Sequence, residues 1–357
     1  MPQTSSTPLP SAEPPNSLPM PHSRSARYDV LRVGACLAVI LLHLAATIVM
    51  ERDLFGTLQW HLSNALDAAT RWCVPVFVML SGALLLDPQK YTGPGAFWAK
   101  HMSRLLPALI AWPTIYFAWR AFYWHEPLSI EIIARDIALG RPYIHLYFLF
   151  LIAGLYLITP FLAKALATFS LSQLRDLILI MAGLAMGANL FDFLASSAFT
   201  IFVPYLTYYL AGWYCARLRI ERPSLLAFAI VLAAIVTTLL TAILVSTRGY
   251  DDRWAFYFYE DFSPTNMVMA VGLFLLILQG TISPRVESIA QTLAPLTLGV
   301  YVAHPIVVEL LRYGYFLAVP VLLRPPYYVP VTLFLTCAIT FSLVALMQQV
   351  PGLRRIV

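Results

Sequence analysis

Residues 33–50 read VGACLAVILLHLAATIVM, an apolar run without a single Asp, Glu, Lys or Arg. Wound as a helix at about 1.5 Å per residue, it nearly matches the roughly 30 Å hydrocarbon core of a bilayer. The run is too long for the apolar region of a secretory leader, and no small-residue cleavage site of the A-x-A kind follows closely. It is therefore expected to stay as the first membrane helix. Comparable runs recur near residues 72–86, 105–124, 145–163, 176–195, 199–216, 224–246, 265–281, 293–311 and 328–347.

Composition agrees with that reading. Hydrophobic residues make up 60% of the 357 positions and charged residues only 11%, with a mean hydropathy of +0.74. A soluble surface needs roughly a quarter of its residues charged, so lipid is expected to cover most of this one. The fold class expected is an all-α integral membrane protein, about ten transmembrane helices in one bundle.

Residues 1–25, rich in Pro and Ser, have no apolar face to bury and read as a disordered tail. The membrane domain is expected over 26–350, with a short basic tail, 351–357, after it. An even number of spans puts both termini on one side. With the amino terminus inside, short inner connections hold residues such as Lys100, Arg104, Arg217 and Arg285, and 14 of the 23 basic residues fall inside. That bias makes both termini cytoplasmic. It also explains a pI near 9.0 without a nucleic-acid partner.

Cys36, Cys73, Cys215 and Cys337 fall on four different spans, with no paired spacing and no His at ligand distance. They read as small packing residues rather than a metal or disulfide framework.

Chemistry is expected where the membrane rule is broken. Arg32 and His43 are eleven residues apart, a rotation of about 1100°, which returns His43 to the Arg32 face about 16 Å higher. Arg32 is then expected at the cytoplasmic boundary and His43 near mid-bilayer. An ionisable side chain at that depth costs roughly 2.5 kcal/mol or more unless it meets a polar cavity. Two readings stand side by side: a neutral imidazole serving as general base, and a His that bonds a neighbouring helix. His304, before Pro305 in Tyr301-Val302-Ala303-His304-Pro305, is a second intramembrane His. It either lines the same cavity or satisfies carbonyls freed by the proline.

Several segments, in order, resemble membrane-bound acyltransferase family 3, of the surface-glycan O-acetyltransferase type. Tyr28-Asp29-Val30-Leu31-Arg32 through His43 is similar to the family's opening, an Arg and a His with ten residues between. Val74-Pro75-Val76-Phe77-Val78-Met79-Leu80-Ser81-Gly82 is similar to its Pro-Phe-Ser-Gly helix, with Val78 where a second Phe is usual. Phe97, Lys100, Arg104 and Pro107 resemble the basic segment that follows. His145-Leu146-Tyr147-Phe148-Leu149 with Gly154, Tyr156 and Pro160, and Leu298-Gly299-Val300-Tyr301 with His304-Pro305, resemble two later motifs.

The resemblance implies a donor such as acetyl-CoA, or another acyl-CoA, on the cytoplasmic side and a saccharide acceptor outside: an exopolysaccharide, a lipid-linked saccharide or another surface glycan. Arg32, Lys100 and Arg104 are then expected to hold the coenzyme A phosphates, or, as basic loops do, simply to keep the connection inside. His43 is expected to deprotonate the acceptor hydroxyl, with Arg32 below it, and no metal is called for. Ser81 is a candidate acyl carrier or a helix-packing site. His145, at the outer end of its span, is a candidate for orienting the acceptor.

Trp254 to Asp261, with Tyr257, Tyr259 and Glu260, reads as a sugar-contacting surface or an interfacial aromatic belt. Some family members carry a further hydrolase-like domain, and the stretch ending at Val357 reads as the membrane module alone. The inner membrane of a bacterium is the expected location, among partners in polysaccharide biosynthesis. A transporter or exporter of a polysaccharide or its precursor is the alternative, although no internal repeat supports it.

Overall fold

The computed structural model describes residues 22–90, 93–191, 197–319, 321 and 327–357, which form helices and turns with no strand among them. Thirteen α-helices follow one another: α1 His22–Val49, α2 Leu58–Thr70, α3 Cys73–Leu85, α4 Pro94–Phe122, α5 Ile130–Ala138, α6 Tyr147–Leu166, α7 Leu171–Phe191, α8 Phe202–Cys215, α9 Pro223–Arg248, α10 Pro264–Gln279, α11 Pro284–Leu293, α12 Thr297–Ala318 and α13 Tyr328–Met347. Local chemistry sets several starts. Pro94, Pro223, Pro264 and Pro284 occupy first turns, where a missing N–H costs nothing. The side chains of Ser263 and Ser283 accept hydrogen bonds from Asn266 N and Val286 N, satisfying donors that a helix end leaves bare.

Nine segments among the described residues are long and apolar enough to cross a membrane. Each of the ten expected spans coincides with a helix, but α8, at 14 residues, is too short to count among the nine. Several expected boundaries are corrected, among them the third span, which begins at Pro94 rather than at residue 105. The second span begins at Leu58 rather than at residue 72, as α2 and α3 run on from one another around Arg71. Ser63, Asn64 and Asp67 are buried in α2, so its polar residues turn inward and break the hydropathy pattern that marks a span. The ninth is also longer, with α11 leading into α12 over Pro284–Ala318. The amphipathic α5 was not anticipated.

Residues 1–21 of the expected tail, and residues 192–195 of the expected fifth span, lie outside the described residues; α1 begins at His22, inside the stretch read as tail. At the other terminus the basic segment packs back on the bundle. The Trp112 indole donates to Ile356 O at 2.7 Å, and a Cβ on Gly299 would press against Val344 and Val357.

Both described termini lie at one end of the bundle. Arg27 donates to Leu278 O at 2.7 Å, and Gln348 to Pro295 O at 3.1 Å. The connections after α1, α5, α7 and α9 gather at the opposite end, where Arg52 pairs with Asp251, Ala198 N donates to Ala138 O, and Arg253 donates to Leu190 O.

The centre is organised by α3 and α8. A Cβ added to Gly82 would overlap the backbone of Tyr209, and one on Gly212 would overlap that of Met79. The two backbones therefore touch, as small residues permit between membrane helices.

Candidate active site

Two helices and a turn, far apart in sequence, bring three imidazoles together. The His43 ring on α1 lies 5.2 Å, centroid to centroid, from His304 on α12 and 6.5 Å from His145 at the start of α6. His145 and His304 are 5.5 Å apart. His145 and His304 are buried and His43 is half-buried, so His43 is the most accessible of the three. Among the described residues, no group of His, Cys, Asp or Glu is arranged to hold a metal ion.

Backbone carbonyls set the protonation pattern. His304 Nδ1 lies 2.7 Å from Tyr301 O and 3.3 Å from Val300 O. A carbonyl only accepts, so Nδ1 carries the hydrogen and Nε2 keeps its lone pair. The carbonyl of Tyr301 is available because Pro305, four residues on, has no N–H to give it. His145 Nε2 lies 3.2 Å from Val302 O, which also accepts from the Tyr116 hydroxyl at 2.8 Å. His145 itself is pinned by Tyr301, whose hydroxyl donates to His145 O at 2.6 Å. Both remaining nitrogens, His145 Nδ1 and His304 Nε2, are buried without a partner among the described residues. Two lone pairs thus sit inside the bundle beside His43.

The span containing His43 runs over Ala26–Val49, so His43 sits about 8 Å beyond the midpoint, towards the far end, and Arg32 about 9 Å inside the near end. The helix reaches further back than the apolar run alone suggests. His145, just before α6, is buried within the bundle.

The basic residues lie at the end that carries the termini. Arg32 is half-buried, 3.6 Å from Asp29 on its own helix, while Lys100 and Arg104 are exposed on α4. Arg32 and Arg104 are both near enough to Tyr156 to interact with its phenol. Around Tyr156, Phe97 stacks on His101 at 4.3 Å, His101 lies 5.6 Å from the Tyr156 ring, and the Trp98 indole donates to Tyr156 O at 3.2 Å. This rim combines cations with flat rings. Ser81 is set apart from it: its hydroxyl donates to Phe77 O in its own helix at 3.0 Å, beside the Gly82 crossing.

A cavity of about 820 Å³ opens at the opposite end. Trp254, Tyr257, Tyr259, Glu260 and Asp261 line it together with Arg71, Arg141, Asn189 and Tyr205. Ile144 and Tyr147, on either side of His145 in sequence, are also in its wall. The loop read as a sugar surface or a belt therefore lines a concavity that adjoins the histidine layer. Tyr205 donates to the Asp261 carboxylate and Tyr208 to its carbonyl.

A family model described as an acyltransferase domain matches residues 25–345. The chain belongs to acyltransferase family 3. Neither the curated proteins nor the solved structures gave a match. The matched region of this membrane acyltransferase contains all three histidines, the basic rim and the cavity.

Sequence reasoning passed over several polar groups of the acyltransferase. Arg71 pairs with the fully buried Asp67, Nε to Oδ1 at 2.6 Å. Glu309, five residues beyond His304 on α12, accepts from the Trp119 and Trp124 indoles at 2.6 and 3.1 Å and from the Tyr143 hydroxyl. Each is an acid or base within an apolar span, the same signal that singled out His43.

Proposed function

We propose that the protein transfers an acyl group, acetyl by preference, from a coenzyme A thioester at the terminal end of the bundle to a saccharide hydroxyl in the cavity at the other end. The single observation that carries this is the meeting of His43, His145 and His304 in a layer between the basic rim and the cavity. Acyl transfer across a membrane needs a phosphate-binding end, a base where donor and acceptor meet, and a concave acceptor surface.

In this reading Arg32, Lys100 and Arg104 hold the coenzyme phosphates by charge and hydrogen bonding. The rings of Phe97 and His101 offer the adenine a stacking surface. His43, the accessible imidazole, takes the proton of the acceptor hydroxyl. The hydroxyl oxygen attacks the thioester carbonyl directly, the carbon–sulfur bond breaks, and the proton passes to the departing thiolate. His304 presents a fixed lone pair 5.2 Å, ring to ring, from His43. Ser81, bonded within its own helix, is not needed as an acyl carrier. The donor end is cytoplasmic and the cavity extracytoplasmic, as the excess of Lys and Arg in the terminal-side connections supports; the location is then a bacterial inner membrane, with partners that make and export the glycan.

Incorporation of radiolabelled acetyl from acetyl-CoA into membrane glycans tests this in cells expressing the parent or His43→Ala at equal membrane abundance. Label from the parent, lost in the variant, is expected. Equal incorporation removes His43 from the mechanism, and none from either overturns the acetyl-transfer reading.

A further inference from the structure

The cavity and the histidine layer share one cationic group. Arg71 stands at the junction of α2 and α3, with its side chain 19% exposed, and lines the cavity. Its guanidinium lies 4.0 Å from the Tyr259 ring centroid, and it shares the cavity wall with Ile144 and Tyr147, the residues that flank His145. Asp67, one turn earlier and fully buried, holds it from behind. Beyond its 2.6 Å contact with Asp67 through Nε, the guanidinium donates one hydrogen bond among the described residues, from Nη1 to Tyr259 O at 3.5 Å. Nη2 therefore has no protein acceptor among the described residues. A guanidinium fixed at one edge, with donors left over in the wall of a cavity that adjoins the histidine layer, is built to meet an anion.

Resting on the acyl-transfer reading above, we infer that Arg71 is a catalytic residue that stabilises the oxyanion of the tetrahedral intermediate. When the acceptor oxygen bonds to the thioester carbon, the carbonyl electron pair moves onto oxygen and the hydroxyl proton moves to His43. Arg71 donates to that oxyanion. The pair then returns to re-form the carbonyl, the carbon–sulfur bond breaks, and the thiolate leaves with the proton from His43. Asp67 is the positioning residue: it keeps the guanidinium in one place and offsets its charge before the reaction begins, so little reorganisation is needed as charge develops.

The test compares two ligands on the purified full chain in lipid nanodiscs. One is coenzyme A. The other is the trifluoromethyl ketone analogue of acetyl-CoA, whose carbonyl adds a hydroxyl to give a tetrahedral adduct, so that it samples the intermediate rather than the ground state. The parent is expected to bind the ketone more tightly than coenzyme A. Arg71→Gln should lose on the order of 100-fold of the ketone affinity while coenzyme A binding stays within about threefold, and Arg71→Lys should recover part of the loss.

Because Arg71→Gln leaves Asp67 buried and uncompensated, the double variant Asp67→Asn/Arg71→Gln, which removes both charges, provides a second measurement. It should show the same selective loss. Unchanged ketone affinity in the folded double variant overturns the assignment, as does a parallel fall for both ligands, which marks a structural role. A parent that binds coenzyme A but not the ketone any tighter also overturns it. A parent that binds neither ligand refutes the acyl-CoA reading itself, and this assignment with it.

Discussion

His304 donates through Nδ1 to the Tyr301 carbonyl at 2.7 Å, the carbonyl that Pro305 leaves without its helical N–H. The proline and the imidazole therefore form one device, in which a break in the helix fixes a tautomer. Pro305→Ala restores the N–H and removes a ring that costs a helix interior about 3 kcal/mol. The variant should melt at a higher temperature than the parent in the same detergent, yet transfer acetyl more slowly, on the order of tenfold. A variant that is both more stable and fully active would show that the tautomer is not set by this contact.

Lys100 and Arg104, exposed on α4, should act on binding rather than on chemistry. Replacing both by Ala is expected to raise KM for acetyl-CoA about tenfold or more with little change in kcat. With acetyl-pantetheine, which lacks the nucleotide phosphates, parent and variant should behave alike. A matching defect with the truncated donor would place these residues elsewhere in the mechanism.

The α3–α8 crossing tolerates no added methyl group. Gly82→Ala or Gly212→Ala should force the helices apart and reduce the yield of monodisperse protein on size-exclusion chromatography, because backbone atoms, not mobile side chains, fill the space. Gly34→Ala, with nothing within 4 Å of the added Cβ, serves as the control and should behave as the parent does.

Glu126, in the connection after α4, accepts from Arg120 Nε and Nη2 at 2.7 and 2.6 Å. These bonds hold its carboxyl below the ordinary carboxylate range. The folded state thus binds this proton less readily than the unfolded chain. The stabilisation is complete above the unfolded value, about 4.3, and is lost as the pH falls through the lower folded value. The difference in melting temperature between parent and Glu126→Gln should be constant from pH 7 to 5 and shrink below about pH 4. It should be small throughout, since the carboxylate is 38% exposed. A difference that grows on acidification would reverse the sign and reject the pairing.

Hydropathy located the helices because lipid imposes a length and an apolar face on each one. It failed at α2, where Asn64 and Asp67 are buried against other helices, so that an inward polar face reads as a loop. The Arg32–His43 spacing was legible because it repeats along one helix. The convergence of His43 with His145 and His304 was not: residues 43, 145 and 304 share no local period, and His145 sits on a turn, where helical-face arithmetic does not apply. Glu309 was within reach, since a carboxylate inside an apolar span calls for partners. Those partners, two indoles and a phenol, come from α4, the connection after it and the turn before α6, and only the fold brings them near.

The carbonyl anchors of His145 and His304 have a consequence for how such a protein can diverge. Main-chain oxygens survive almost any exchange of side chains, so the proton inventory of the site is inherited with the path of the chain. The wall of the cavity is under no such obligation. Trp254, Tyr257 and Asn189 can be exchanged to admit a different guest while the imidazoles keep their settings, which leaves reactivity and selectivity free to evolve on separate schedules.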